Sequence, residues 1–431
     1  MGMCGEGRAE GFFGPIEIIG PQNDRVGEAE VDMTMATSSR LGFLHEQLEE
    51  LKAKGLYFRL RVLESEQKPV ANFDGHEVIN LSSNNYLGLT TNKALRRAAL
   101  EATKQWGVGA GAVRTIAGTM KIHMELEEQI ARFKNTEACV VFQSGFTANA
   151  GTVAAVLGKD DLIISDELNH ASIIDGCRLS KATIKVFKHK DLADCERICQ
   201  ETANWAGRKL LITDGVFSMD GDIAPLPQLC ELAEKYNCIM MVDDAHASGV
   251  LGRGGRGTVD HFGCHGRVDI QVGTLSKAIG AMGGYVCGSR DLIEWLYHRG
   301  RPFLFSTSHP PSVAATCQAA FALLDSPDGE NLIKKLWANT KYFKRLLKKR
   351  GFSTGASETP ITPIHVGEAA KAFEFSRKLF EAGVYAPAVG YPTVAEGKAR
   401  LRAIVTATHK RADLEKAADI LAEVGKSLGI V

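Results

Sequence analysis

A chain of 431 residues with 51 Lys plus Arg against 51 Asp plus Glu is formally neutral, so no global basic field draws it to nucleic acid or an anionic membrane. It is too long for one simple core and suggests two or three structural units around a large interior. No apolar run reaches 18 residues, and the first residues lack the basic start and apolar core of a secretion signal, which leads us to expect a cytoplasmic protein acting on small molecules.

Residues 1–38 carry seven Asp or Glu against two Arg, are rich in Gly and show no sustained periodicity, and read as a mobile acidic extension. Leu41, Leu44, Leu48 and Leu51 have helical spacing and predict an amphipathic helix, the start of an N-terminal helix and arm over 39–95. Short apolar runs then alternate with helical stretches: Ala138–Phe142, Leu162–Ser165, Ile184–Phe187, Lys209–Thr213, Ile239–Val242, Ile270–Gly273 and Gly284–Gly288. Continuous rather than alternating hydrophobicity predicts strands buried on both faces, hence a mostly parallel sheet covered by helices in a large α/β domain over 96–300. Beyond it, helical runs Pro311–Leu324, Leu332–Arg350 and Ala412–Leu428, with strands around Ile361–His365 and Arg400–Thr406, predict a smaller α+β domain over 301–431. The ten cysteines include no C-x-x-C pair, and several, such as Cys139, Cys238 and Cys287, lie in apolar runs as reduced small hydrophobes. His261, Cys264 and His265 sit in a Gly-rich loop with no fourth ligand nearby and read as a surface turn rather than a metal site.

Polar chemistry gathers where the predicted strands end. In Gln143–Asn149, between a strand and a helix, backbone N–H groups at the helix start suit a phosphate, although Ser144 equally fits a plain N-cap. Ser165–Ser172 delivers His170, able to stack on a ring or move a proton, or simply structural. Asp214–Asp222 carries Ser218, a donor for a ring hydroxyl or part of a polar turn. Met240–His246 supplies Asp243, Asp244 and His246. Asp243, first after the strand, fits a carboxylate against a pyridinium nitrogen, with N-cap and metal ligand as alternatives, and His246 could orient a cofactor oxygen or the substrate. Gly107, Gly109 and Gly111 imitate a nucleotide loop but follow a helix-like segment, so that reading fails. Most informative is Val272–Tyr285, where one lysine, Lys277, stands among small residues after a strand. Such a lysine can form a Schiff base with pyridoxal 5′-phosphate while Thr274 and Ser276 hold the phosphate; by itself it also fits a solvated surface residue.

Taken together, Ser82-Ser83-Asn84-Asn85-Tyr86-Leu87-Gly88-Leu89, Leu168-Asn169-His170-Ala171-Ser172, Val216-Phe217-Ser218-Met219-Asp220-Gly221-Asp222, Val242-Asp243-Asp244-Ala245-His246 and Thr274-Leu275-Ser276-Lys277 resemble the α-oxoamine synthases, pyridoxal-phosphate enzymes of aminotransferase fold type I. The likeness runs from about residue 40 to the C-terminus in family order. It implies the type I fold, with a mostly parallel seven-stranded sheet, and a homodimer with shared active sites that condenses an amino acid with an acyl-CoA. By the same resemblance Lys277 would hold the cofactor and later take the α-proton, Asp243 would face the ring nitrogen, His246 and Ser218 the ring oxygen, and His170 the ring face. Gly145, Phe146 and Thr274 would bind the phosphate, joined by Ser306, Thr307 and Ser308 of the other subunit. Asn84 falls at an active-site Asn, and Arg402 would clamp the substrate carboxylate. Gly109-Ala110-Gly111-Ala112-Val113-Arg114 and Leu168–Gly176 look more like the glycine C-acetyltransferase branch, with glycine and acetyl-CoA as substrates. The 8-amino-7-oxononanoate synthase branch, taking L-alanine and pimeloyl-CoA with decarboxylation, or a bifunctional enzyme, is the alternative. A non-catalytic partner subunit would be expected to lack Lys277.

Overall fold

The structure, a computed structural model, describes residues 40–54, 57, 59–391 and 393–431. The acidic extension over 1–38 lies outside the described residues. The chain divides into a unit ending at Leu60 and a unit over Arg61–Val431. The first contains the predicted helix, Phe43–Ala53, with Glu49–Lys52 and Glu50–Lys54 ion pairs at helical spacing.

The described strands of the second unit are β1 (Val70–Phe73), β2 (His76–Asn80), β3 (Ala138–Phe142), β4 (Leu162–Asp166), β5 (Thr183–Phe187), β6 (Lys209–Asp214), β7 (Ile239–Asp243), β8 (Ile270–Thr274), β9 (Gly284–Gly288), β10 (Ile361–Gly367), β11 (Val384–Tyr385), β12 (Ala388–Val389) and β13 (Ala399–Ile404). Seven of them form one sheet in the order β3-β9-β8-β7-β6-β4-β5, with β9 antiparallel to both neighbours and the rest parallel. Each predicted apolar run in 138–288 became one of these strands to within a residue, giving the α/β type I transferase fold with a smaller C-terminal part. Burial on both faces holds for β4, β6 and β8, every residue of which is buried. It fails at β5, where Thr183–Val186 are exposed and only Phe187 is buried. This strand has a neighbour on one side only, and Lys185 charges the free edge.

Two features were not expected from the sequence. The arm contains a β1–β2 hairpin turning at Asp74-Gly75, both with positive φ (50° and 77°), the geometry that favours Asp-Gly in two-residue hairpin turns. β11 adds to β2 in parallel, so the arm and the C-terminal part share a sheet. The third sheet, β10-β13-β12, is antiparallel and pairs Pro363 with Arg402. The helix predicted from Leu332 starts earlier, at Pro327, because Ser326 caps it and proline suits its first turn.

Cys238 is half-buried and the other eight described cysteines are buried thiols. His265 Nε2 lies 3.1 Å from Asp260 Oδ1, and no group of three metal-ligating side chains occurs among the described residues. Among them, too, no helix is long and apolar enough to cross a membrane.

Candidate active site

Because β3, β8, β7, β6 and β4 run parallel, their C-terminal ends open on one edge of the sheet, where ligands of such folds bind. There a cavity of about 190 Å³ is lined by Gly145, Phe146, His170, Ser218, Asp243, His246, Thr274 and Lys277, eight of the positions singled out from the sequence. The helix Gly145–Val156 starts at its wall, capped by Ser144 Oγ, which accepts the Thr147 N–H at 3.1 Å. Ser144 is thus an N-cap, and the N–H groups of Gly145 and Phe146 lie in the first turn, where a helix offers them no intrahelical partner. Gly284 permits the arrangement, since a Cβ there would lie 2.4 Å from the Ser144 carbonyl oxygen.

The two adjacent carboxylates after β7 have separate fates. Asp243 is buried beside the cavity, accepting Asn149 Nδ2 at 2.6 Å and the Ala245 N–H at 2.8 Å. Asp244 turns inward to Lys134 Nζ, 2.7 Å away in a fully buried ion pair, while the same ammonium donates to the Arg256 carbonyl at 2.6 Å. Lys134→Met is expected to cost about 3–5 kcal/mol of unfolding free energy, because it strands the Asp244 charge. Urea denaturation checks this, and an unchanged midpoint would contradict it.

Asp214 ends β6 directly beside Asp243 in register, and its Oδ2 accepts the His170 N–H at 3.0 Å. Burial, then the charge of Asp243, pushes its carboxyl well above the usual range. Burial lowers Lys277 to about 8, opposed by Asp243 and Asp214 and assisted by Arg402. Burial likewise holds His246 well below an ordinary histidine, aided by the positive Lys277 and Arg402, and His246 Nδ1 lies 2.7 Å from the Tyr86 hydroxyl. His170 is lowered mainly by burial; its Nδ1 accepts the Ser172 N–H at 3.2 Å and lies 2.7 Å from Ser172 Oγ, which places the remaining ring proton on Nε2.

Arg402, on β13, donates from Nε to the Ser218 carbonyl at 2.6 Å and from Nη1 and Nη2 to Asn84 Oδ1 at 3.2 and 3.3 Å. It is 8% exposed and has no carboxylate partner among the described residues. Ser218 lines the cavity, and its backbone, rather than its hydroxyl, makes the contact to Arg402. Ser306, Thr307 and Ser308 do not line the cavity of their own chain. The Ser308 and Thr307 backbones are tied to Ala112 and Gln143, and Ser308 is itself buried.

Sequence reading passed over Asp214, Asn149, Ser172 and Tyr86. Asp214 had a signal, since it follows its apolar run just as Asp243 does. Asn149 and Ser172 lie inside helices and had none.

The donor set fits pyridoxal phosphate: helix-start amides for a phosphate, Asp243 for a ring nitrogen, and a depressed, unpaired amine for an aldehyde, while the Thr274 hydroxyl at the cavity wall donates to the Gly283 carbonyl at 2.9 Å and lies 2.7 Å from Ser276 Oγ. Comparison with known proteins agrees. Residues 76–421 match the family "Aminotransferase class I and II". The chain is 60% identical over 397 residues to the 8-amino-7-oxononanoate synthase of Thermoanaerobacter pseudethanolicus, covering 92% of this chain and 100% of that protein. It is 54% identical over 390 residues to 8-amino-7-oxononanoate synthase 1 of Bacillus subtilis, covering 90% and 98%. A serine palmitoyltransferase of S. paucimobilis with bound PLP and myriocin superposes with a TM-score of 0.86 at 30% identity, covering 91% and 98%. The two synthases carry the name of the alternative branch, and none of these proteins carries that of the first-ranked expectation, a glycine C-acetyltransferase. The loop Gly109–Arg114 that prompted it lies outside the cavity of its chain: a Cβ at Gly109 or Gly111 would meet nothing within 4 Å, and Arg114 turns inward to Glu127.

Proposed function

The chain belongs to the class I and II aminotransferase family of pyridoxal-phosphate enzymes, within its α-oxoamine synthase type, and from that premise we propose that it is an 8-amino-7-oxononanoate synthase. The reading rests on the 60% identity that extends over the whole length of a relative bearing that name. In the proposed reaction the α-carbon of L-alanine bonds to the thioester carbonyl carbon of pimeloyl-CoA, the C–S bond breaks and CoA leaves as a thiol. The alanine carboxylate departs as CO2, and a proton taken up at the α-carbon in its place leaves the amino ketone. Bound pyridoxal phosphate supplies the electron sink that makes the α-proton removable.

The chain's own residues do the rest in this proposal. Arg402 and Asn84 take the amino-acid carboxylate, which explains a buried guanidinium that otherwise lacks a counter-ion. Lys277 Nζ, lowered to about 8, alternates between holding a proton and accepting one near neutral pH. Asp243 faces the cofactor ring nitrogen, and His170 and His246, both held toward the neutral form, line the cavity without adding positive charge. Gly145, Phe146 and Thr274 hold the phosphate. We further propose a homodimer in which Ser306 and Thr307 reach the neighbouring site; buried Ser308 is the least accessible of the three.

CoA release by the holoenzyme over glycine, L-alanine and L-serine, each with acetyl-CoA and pimeloyl-CoA, tests the reading. L-Alanine with pimeloyl-CoA is expected to exceed every other pair by about tenfold or more, with one CO2 per CoA. Fastest turnover of glycine with acetyl-CoA would overturn it.

A further inference from the structure

Behind the cavity, the loops after β4 and β6 are joined through a histidine to which the reaction assigns no part. His189 follows β5. Its Nδ1 lies 3.0 Å from Asp166 Oδ1, at the end of β4, and its Nε2 lies 2.9 Å from Asp222 Oδ2, in the loop after β6. Each ring nitrogen faces a carboxylate oxygen, and only an imidazolium has a proton for both. The ring meets Phe217 edge-on, with centroids 4.4 Å apart.

Both residues are built into loops that carry site residues, Asp166 through its carboxylate and Asp222 through its backbone carbonyl, the Asp222 carboxylate itself reaching His189 and Lys190. Asp166 Oδ1 accepts the Leu168 N–H at 2.9 Å and Oδ2 the Lys190 N–H at 3.0 Å, shaping the turn that ends at His170. The Asp222 carbonyl accepts the Phe217 N–H at 3.1 Å, and the Phe217 carbonyl accepts the Gly221 N–H at 2.8 Å, which closes the loop around Ser218. The Ser218 carbonyl in turn holds Arg402 Nε at 2.6 Å.

We propose that His189, held as an imidazolium between Asp166 and Asp222, is a positioning residue that ties the His170 turn to the Ser218 loop and thereby sets Arg402 for the substrate carboxylate. The inference rests on the reading of Arg402 given above. The other charged groups at hand are Lys190, 3.1 Å from Asp222 and 3.8 Å from Glu358, and Glu167, which accepts the His189 N–H at 2.8 Å. Burial lowers the imidazole, but Asp166 and Asp222 outweigh it and raise it to about 9. The linkage is therefore in place at neutral pH and is lost as pH rises through about 9.

The test compares the holoenzyme with His189→Gln from pH 7 to 10, reading KM for L-alanine apart from kcat. At pH 7 the variant is expected to show a KM about tenfold higher with kcat within about twofold, as for loss of a charge-assisted contact behind the binding group. The ratio of variant to wild-type KM should then fall toward one above pH 9, where wild-type His189 has lost its second proton. Taking the ratio cancels the titration of the amino acid itself. Without substrate, histidine NMR should place His189 near 9 in the wild type and about a unit lower in Asp222→Asn. A pH-independent KM ratio, or a His189 that titrates like an ordinary histidine, overturns the proposal. Failure of the Arg402 reading alone is distinguishable, because Arg402→Ala would then retain wild-type KM for L-alanine while His189 still titrated near 9.

Discussion

Lys277→Ala is expected to lower turnover by at least about 10⁴-fold, because one side chain is assigned both covalent capture of the cofactor aldehyde and movement of the substrate α-proton. The environment suits the first task. With its amine lowered to about 8, roughly a quarter of Lys277 is neutral and nucleophilic at pH 7.5, against about one part in a thousand for an ordinary lysine. The loss should not come from misfolding. A depressed lysine costs the folded state stability in full below about pH 8 and progressively less as pH rises toward the ordinary lysine value, so alanine removes a cost at neutral pH. Lys277 also makes no hydrogen bond or ion pair among the described residues. CoA release measures the first effect. Borohydride treatment followed by peptide mass mapping measures capture, with the cofactor's mass expected on the Lys277 peptide of the wild type and absent from the variant. Wild-type turnover by Lys277→Ala would sink the mechanism.

Asp243→Asn should cost about 10³-fold in kcat while leaving the fold intact. In the proposed reaction the carboxylate holds a developing charge, and the amide has its shape but not its charge. The contrast with Asp214 sharpens the expectation. Asp214 stands one strand away and is already pushed toward its protonated form, mostly by burial and then by Asp243, so it is a poor substitute. Asp214→Asn alone should accordingly lose much less activity than Asp243→Asn under the same assay. Equal losses would mean that the two carboxyls share one role.

The β-sheet was readable because strands buried on both faces are apolar throughout, and six of the seven runs are buried at all but at most one residue. The seventh, β5, reads the same in sequence yet lies exposed, while β3 at the opposite edge of the sheet is buried, a difference that local hydrophobicity does not encode. Asp243, His170 and Lys277 were legible for a related reason: each ends an apolar strand or follows one within four residues, and so lies near the ligand edge. Asp244 could not be separated from Asp243 without its partner, Lys134, 110 positions earlier in the chain. Arg402 had no local signal at all, because its importance comes from contacts with Asn84 and Ser218, far away in sequence. The hairpin at Asp74-Gly75 did carry a signal, but it lies within an arm read only as a helix and extension.

Arg400 and Arg402 share a face of β13 and grip the same loop, Arg400 through Asp220 and Arg402 through Ser218, while Leu401 between them is buried on the other side. A slip of one residue in this short strand would exchange guanidinium for isobutyl at the site without changing a single letter of the sequence. Across evolutionary time, insertions and deletions in the segment before β13 are therefore constrained less by how many residues they add than by whether β13 keeps its phase against β10.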